Sequence, residues 1–272
     1  MSLISVIFAD DKAENFTGTF VPECDFVKVN SYNRLSQDAK GIWTEYSNRI
    51  NLWSEIASII QEETGEENFE LVEKYKAFLL KNLGIKCKFV DPVDLESGIT
   101  TEQLDGITAN ILSKQDSYKE TLVFIDWDNT ITYSCGFLND WNSVKDTICR
   151  KVFNGIDRDI SDRIIIKTFA IYYYGGRDRY NFLKKWWNET NSICKLSILT
   201  TNIKYKSIYD FMVDTGLESS LEQVKHSNTK MFTIRYLQIQ EEKKYTDSIL
   251  QQSTLVRTES IVRTHSPPVQ VR

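Results

Sequence analysis

Hydrophobic residues fall at helical spacing through most of this chain, and in short unbroken apolar runs at a few places. The stretch Leu3 to Phe8 reads as a strand. From about Ser36 a helix is expected, because Ile42, Trp43, Tyr46, Ile50, Trp53, Ile56 and Ile60 recur at three- and four-residue steps until Thr64-Gly65 stops them. A second helix carries Phe69, Val72, Tyr75, Phe78 and Leu79 and ends at Gly84. A short strand, Ile85 to Val90, follows, and then a third helix capped by Thr100 or Thr101, with Leu104, Ile107 and Ile111 inside. These aromatic and aliphatic stripes are packing faces, since helical spacing alone accounts for them. The pattern predicts a mainly helical N-terminal domain over residues 1–118.

The second part reads differently. An apolar run, Leu122 to Ile125, meets two acids, Asp126 and Asp128, separated by Trp127. A second run, Leu196 to Leu199, ends in Thr200, Thr201 and Asn202. Four apolar residues bounded by polar ones suit a strand covered on both faces. Between the two runs, Trp141, Val144, Ile148 and Val152, then Ile160, Ile164, Phe169 and Tyr172, mark helices. Residues 139–174 are therefore expected as a small helical insertion beside the site, and a further helix carries Tyr180, Leu183 and Trp187. Strands joined through helices must pair parallel, with both carboxyl ends on one edge, so the two runs are expected as adjacent parallel strands of an α/β core over 119–250. Helices alone follow, around Ile208 to Met212 and from about Lys230 to Lys244. Residues 251–272, without periodicity, are expected to be a flexible tail.

Acids at the end of a buried strand cannot continue into the core unpaired. They belong at the carboxyl edge, where open α/β sheets place their ligand sites. Two carboxylates at i and i+2 can face one pocket if the backbone turns there. One can attack a phosphoryl group and the other can protonate the leaving oxygen and then activate water. A phosphate enters so anionic a place only with a divalent cation, for which Mg²⁺ is the usual oxygen-liganded choice. Alternation along the strand turns Trp127 away from that cleft.

Composition narrows the class. The 272 residues are 41% hydrophobic and 26% charged, ordinary for a folded chain. The net charge of −5 is uneven: residues 1–118 carry 11 basic against 20 acidic side chains, and the remainder 22 against 18. That small basic excess suits an anionic substrate and falls short of a nucleic-acid footprint. Five scattered cysteines and two histidines give no zinc spacing, and read as reduced thiols. The opening residues lack a signal-peptide pattern, and no run is long enough to span a bilayer, so a cytoplasmic or nuclear location is expected.

The run VFIDWDNTI (Val123 to Ile131) resembles the first motif of the haloacid-dehalogenase (HAD) superfamily, and LSILTTN (Leu196 to Asn202) resembles its second. The segment GGRDRYNFLKKWW, from Gly175, resembles the approach to the second motif in the NIF-like, CTD-phosphatase branch. The resemblance implies a Rossmannoid parallel sheet and Mg²⁺-dependent phosphatase activity on a phosphorylated substrate, a protein among the candidates. It implies Asp126 as nucleophile, Asp128 as acid/base, and Thr201 or Thr200 as the phosphate-binding hydroxyl, with Thr130 and Asn202 beside them. The family's third motif is a lysine, for which Lys230 and Lys204 are the candidates. Its fourth is an acidic group after another apolar strand, completing the metal site with Asp126 and Asp128. Downstream the best candidate is Asp247, although QEEKKYTD before it is no buried strand, which leaves the sheet incomplete on its C-terminal side. Few glycines and prolines with many Ile, Asn, Lys and Tyr, on this layout, also resemble the HAD-like nucleocapsid-assembly proteins of baculoviruses and related insect viruses. That narrower resemblance implies a virion location, assembly partners held through the helical N-terminal domain, and a fold that serves as a scaffold with weak or absent catalysis.

Overall fold

The computed structural model describes residues 3–29, 50–82, 89–90, 98–132, 140–217 and 219–264. Strand β1 (Ile4–Asp10) and strand β2 (Cys24–Lys28) flank a short 3-10 turn, Ala13–Phe16. Strand β3 (Ile50–Asn51) leads into helices α1 (Leu52–Thr64) and α2 (Phe69–Asn82), and β4 (Phe89–Val90) pairs antiparallel with β3. Helix α3 (Thr101–Lys114) precedes strand β5 (Glu120–Ile125). Helices α4 (Trp141–Lys151), α5 (Arg158–Tyr174) and α6 (Arg177–Asn191) lead to strand β6 (Lys195–Thr200). Helix α7 (Tyr205–Asp214), strand β7 (Val224–His226) and the 35-residue helix α8 (Lys230–Thr264) complete the chain.

Among the described residues, five strands form one parallel sheet in the order β2-β1-β5-β6-β7. The expected pairing is present: Leu122 to Ile125 align with Lys195 to Ile198, parallel and adjacent. Side chains alternate across the sheet. Ile7, Ala9, Val123, Ile125, Leu196 and Ile198 face one core, which is filled by the helices α1 to α7. Ile4, Val6, Phe8, Leu122 and Phe124 face a smaller core closed by Met231 and Ile234 of α8. Apolar residues thus cover both faces, as a parallel sheet requires.

The expected boundary near residue 118 is corrected by this topology. The first strand of the presumed N-terminal domain lies inside the sheet, between β2 and β5, and pairs with β5 from Ile4 to Ala9. Leu52, Ile56, Ile59, Val72 and Tyr75 share one hydrophobic cluster with Trp141, Phe169 and Trp187. The physical reason is where the apolar stripes go: α1 and α2 bury theirs in the same cluster as α5 and its neighbours, so the described residues of this part share the core of the sheet. Within the insertion expected over 139–174, residues 140–174 form α4 and α5. Helix α5 packs against α1, α4 and α6, and in its last turn Tyr174 meets Trp127 edge-on at 6.1 Å, in the larger core.

The third helix starts where expected, with Thr100 and Gln103 forming a reciprocal capping box. The part of the first predicted helix before Ile50 lies outside the described residues, as does most of the strand predicted at Ile85 to Val90. The tail is also corrected: α8 continues as helix to Thr264, and residues 265–272 lie outside the described set.

Candidate active site

The register of β1 against β5 builds the site. Ala9 pairs with Ile125, so the chains run on together into Asp10 and Asp126, and the Asp126 amide donates to the Ala9 carbonyl at 2.9 Å. By alternation Asp10 continues the row of Ile4, Val6 and Phe8, and Asp126 the row of Leu122 and Phe124. Both therefore turn to the face covered by α8. Trp127 turns the other way, as expected, and is buried between Tyr174 and Phe211.

Helix α8 delivers its first residue into this corner. The Lys230 ammonium donates to Asp10 Oδ2 at 2.6 Å and to Asp126 Oδ1 at 2.5 Å, with all three side chains buried. Of the two lysines considered, Lys230 is the one that reaches the carboxylates; Lys204 sits at the start of α7, its amide donating to Asn202 Oδ1. Asp10 is held further by the Lys12 amide at 2.8 Å and by the Asn15 side-chain amide, 2.9 Å from each carboxylate oxygen.

On the other flank the chain folds tightly after β5. The amides of Thr130, Ile131 and Thr132 converge on the Trp127 carbonyl, and Asn129 takes a φ of 60°, a left-handed conformation that asparagine tolerates better than other non-glycine residues. The Thr130 hydroxyl lies 3.5 Å from Asp126 Oδ2, at the outer limit of a hydrogen bond. Asp128 is partly exposed and accepts from the Thr200 hydroxyl at 3.4 Å, while Thr200 itself accepts from the Asn202 amide at 3.0 Å. Thr200 is thus buried and engaged in holding Asp128, whereas Thr201, one residue on, is exposed.

Asp247 stands apart from this group. It is exposed on α8, 17 residues beyond Lys230, or about 25 Å along the helix axis at 1.5 Å per residue. Acids after another apolar strand do reach the site, but from the beginning of the chain: single oxygens of Asp10, Asp11 and Asp126 lie within 4.8 Å of one another. The signal was in the sequence. SVIFADD, from Ser5, has the same shape as LVFIDWD, from Leu122: an apolar run that ends in two acids. Only a pairing of β1 with β5 gives that likeness meaning.

Electrostatics shows what the cluster lacks. Burial first, and then the neighbouring Asp10 and Asp128, push the Asp126 carboxyl up to about 7 against the pull of Lys230. For Lys230, burial opposes the charge, but Asp126 and Asp10 outweigh it and leave the ammonium above the ordinary lysine value. Lys230 is shared between two of the carboxyls, and the Lys28 ammonium donates to the Asp11 main-chain carbonyl rather than to its carboxylate. In addition, Asp11 Oδ1 is buried without a hydrogen-bond partner among the described residues, a costly state for a carboxylate oxygen. An all-oxygen, anionic cluster with one unsatisfied oxygen fits a hard divalent cation. A groove of about 420 Å³, lined by Asn15, Thr17, Thr229, Lys230 and Phe232, opens beside it.

Comparison with known proteins adds no name: no family model matches the chain, and no curated protein or solved structure matches it. Among the described residues no helix is long and apolar enough to cross a membrane.

Proposed function

We propose that this chain is a Mg²⁺-dependent phosphomonoester hydrolase of the HAD type that works through an aspartyl-phosphate on Asp126. The observation that carries the reading is the convergence of Asp10, Asp11, Asp126 and Lys230 at the carboxyl edge of a parallel sheet. It supplies, from upstream, the acidic group after an apolar strand that the HAD resemblance asks for, and the lysine with it. Asp126, Asp10 and Asp11 would hold the cation, which when bound would offset their charge and polarise the phosphoryl oxygens.

The rest of the chemistry belongs to the side chains. The Asp126 carboxylate attacks phosphorus as the bond to the leaving oxygen breaks, and Asp128 gives that oxygen its proton. Asp128, now a carboxylate that accepts a hydrogen bond from Thr200, takes a proton from water, which attacks phosphorus, frees inorganic phosphate and restores Asp126. The Lys230 ammonium, the Thr201 hydroxyl and backbone amides near Asn202 stabilise charge on the transferred group. The substrate is a phosphomonoester, with phosphorylated protein included.

A second reading has its own support. Lys230, paired to both Asp10 and Asp126, also fastens α8 to the sheet, a structural role that serves a catalytically inactive assembly scaffold, such as that of a viral nucleocapsid, equally well. Hydrolysis of an aryl phosphate and of phosphopeptides with Mg²⁺ separates the two. Asp126→Asn is expected to reduce the rate to background with the fold intact, and Asp128→Asn to slow it by about 10²–10⁴-fold. Equal background rates for wild type and Asp126→Asn across the panel would leave the scaffold standing.

A further inference from the structure

Arg179 is 6% exposed, and its guanidinium is spent on main-chain carbonyls. Nη1 donates to the carbonyls of Ile131 and Tyr174, each at 2.7 Å; Nη2 donates to that of Ile99 at 3.0 Å and approaches that of Thr130 at 3.5 Å. Three separate segments meet on this one planar fork: the loop after β5, the last residue of α5, and the residue preceding the Thr100 cap of α3. The loop and the α3 entry are also tied directly, since the Ile99 amide donates to the Thr130 carbonyl at 2.9 Å. The geometry depends on Gly175 and Gly176, whose φ values of 79° and 113° reverse the chain between α5 and α6 and turn Arg179 back toward β5.

We propose that Arg179 is the positioning residue of the Asp126–Thr132 loop, acting by holding the Thr130 and Ile131 carbonyls so that Asp126 and Asp128 keep their mutual placement. It is assigned a positioning role and not a catalytic one: the hydrogen bonds given above all go to backbone carbonyls, and Lys230 is the cation that touches the Asp126 carboxylate. A tether is needed there. The loop turns within a few residues, carries Asn129 at positive φ, and would otherwise bury the Ile131 carbonyl without this donor. Lysine cannot replace the fork, because its single ammonium does not present the two separate nitrogens that Arg179 uses for these carbonyls. The kinetic consequence rests on the phosphatase reading; the placement of the loop does not.

The test uses the full chain with Arg179→Lys and Arg179→Gln, read by amide hydrogen exchange and by steady-state hydrolysis of an aryl phosphate. Exchange at Ile131 and Thr132 is expected to quicken about tenfold or more, while Val123 and Phe124 in β5 keep wild-type protection. The kcat is expected to fall about 10²-fold with KM little changed, the size that a displacement of about 1 Å costs. Uniform loss of protection in loop and strand, unfolding of both variants, or an unchanged loop would overturn the proposal, because Arg179 would then serve the whole core or nothing. If wild type hydrolyses nothing, the phosphatase reading fails, and the exchange measurement still decides the tether.

Discussion

β1 and β5 lie side by side, run the same way and both end in acids, yet the two ends are held differently. At the end of β1 a short 3-10 turn brings Asn15 back onto Asp10, and the Lys12 amide and Lys230 complete its shell, so both Asp10 oxygens are engaged. At the end of β5 a tethered loop follows, and Asp126 meets one ammonium, one distant hydroxyl and a buried setting that lifts its pKa. The comparison teaches that the same local pattern is completed differently on neighbouring strands. What differs is the segment that returns to each strand end, and a buried, perturbed carboxyl such as Asp126 is a candidate for the reactive role proposed above.

The largest expected effect comes from removing the residue the two ends share. Lys230→Met leaves buried, like-charged Asp10 and Asp126 facing each other, and breaking such a pair costs about 3–5 kcal/mol. Urea unfolding should show this loss, and adding Asp10→Asn should recover part of it. A Lys230→Met protein as stable as wild type would mean that the two strand ends are not coupled through α8.

Next is the cation. At a hundred times its dissociation constant, Mg²⁺ should stabilise the native state by about 2.7 kcal/mol, visible as a raised Tm. Asp11→Asn should lose most of that response while unfolding normally without metal. A full response in Asp11→Asn would confine the end of β1 to a structural role.

A smaller effect is the pH dependence of stability without metal. Because burial raises the Asp126 pKa to about 7, the native state holds this proton more tightly than the unfolded chain. The stabilisation is fully present below the ordinary carboxyl range and is lost as pH rises through about 7. Stability should therefore decline from about pH 5 to 8, and Asp126→Asn should flatten the decline. Glu62, Glu63 and Glu241 act in the opposite sense and lower down, since paired Lys and Arg outweigh burial and hold them below the usual value. A wild-type curve that rises over this window would show Asp126 to be ionised and fully compensated.

The smallest effect is the contrast on α8. Asp247→Asn should change stability by no more than about 0.5 kcal/mol and leave the Mg²⁺ response as it was. A lost response would return the fourth acid to the C-terminal helix and remove β1 from the site.

How much of this was legible follows from the range of each interaction. The runs at Leu122 and Leu196 and the acids and hydroxyls behind them are local patterns, as is the capping box at Thr100, so each was readable within a window of a few residues. Helix α8 was legible at its start and misjudged at its end, because a helix that leaves the body no longer carries an amphipathic stripe. The N-terminal domain was misjudged for the opposite reason. Its helices are amphipathic in the ordinary way, and an apolar stripe does not say whether it packs on its own domain or on α5.

The chain by itself therefore determined most of the helices, the two apolar runs with the acids and hydroxyls behind them, and the direction in which Asp126 and Trp127 part. Only the tertiary structure decided that β1 lies beside β5 and that α8 begins over both. Those choices bring Lys230 to an aspartate 220 residues away in the chain. Strand pairing is set by burial of both sheet faces over the whole molecule, a condition no single window of residues contains. That is why the acids of β1 were in plain view in the sequence and acquired a role only once the sheet was assembled.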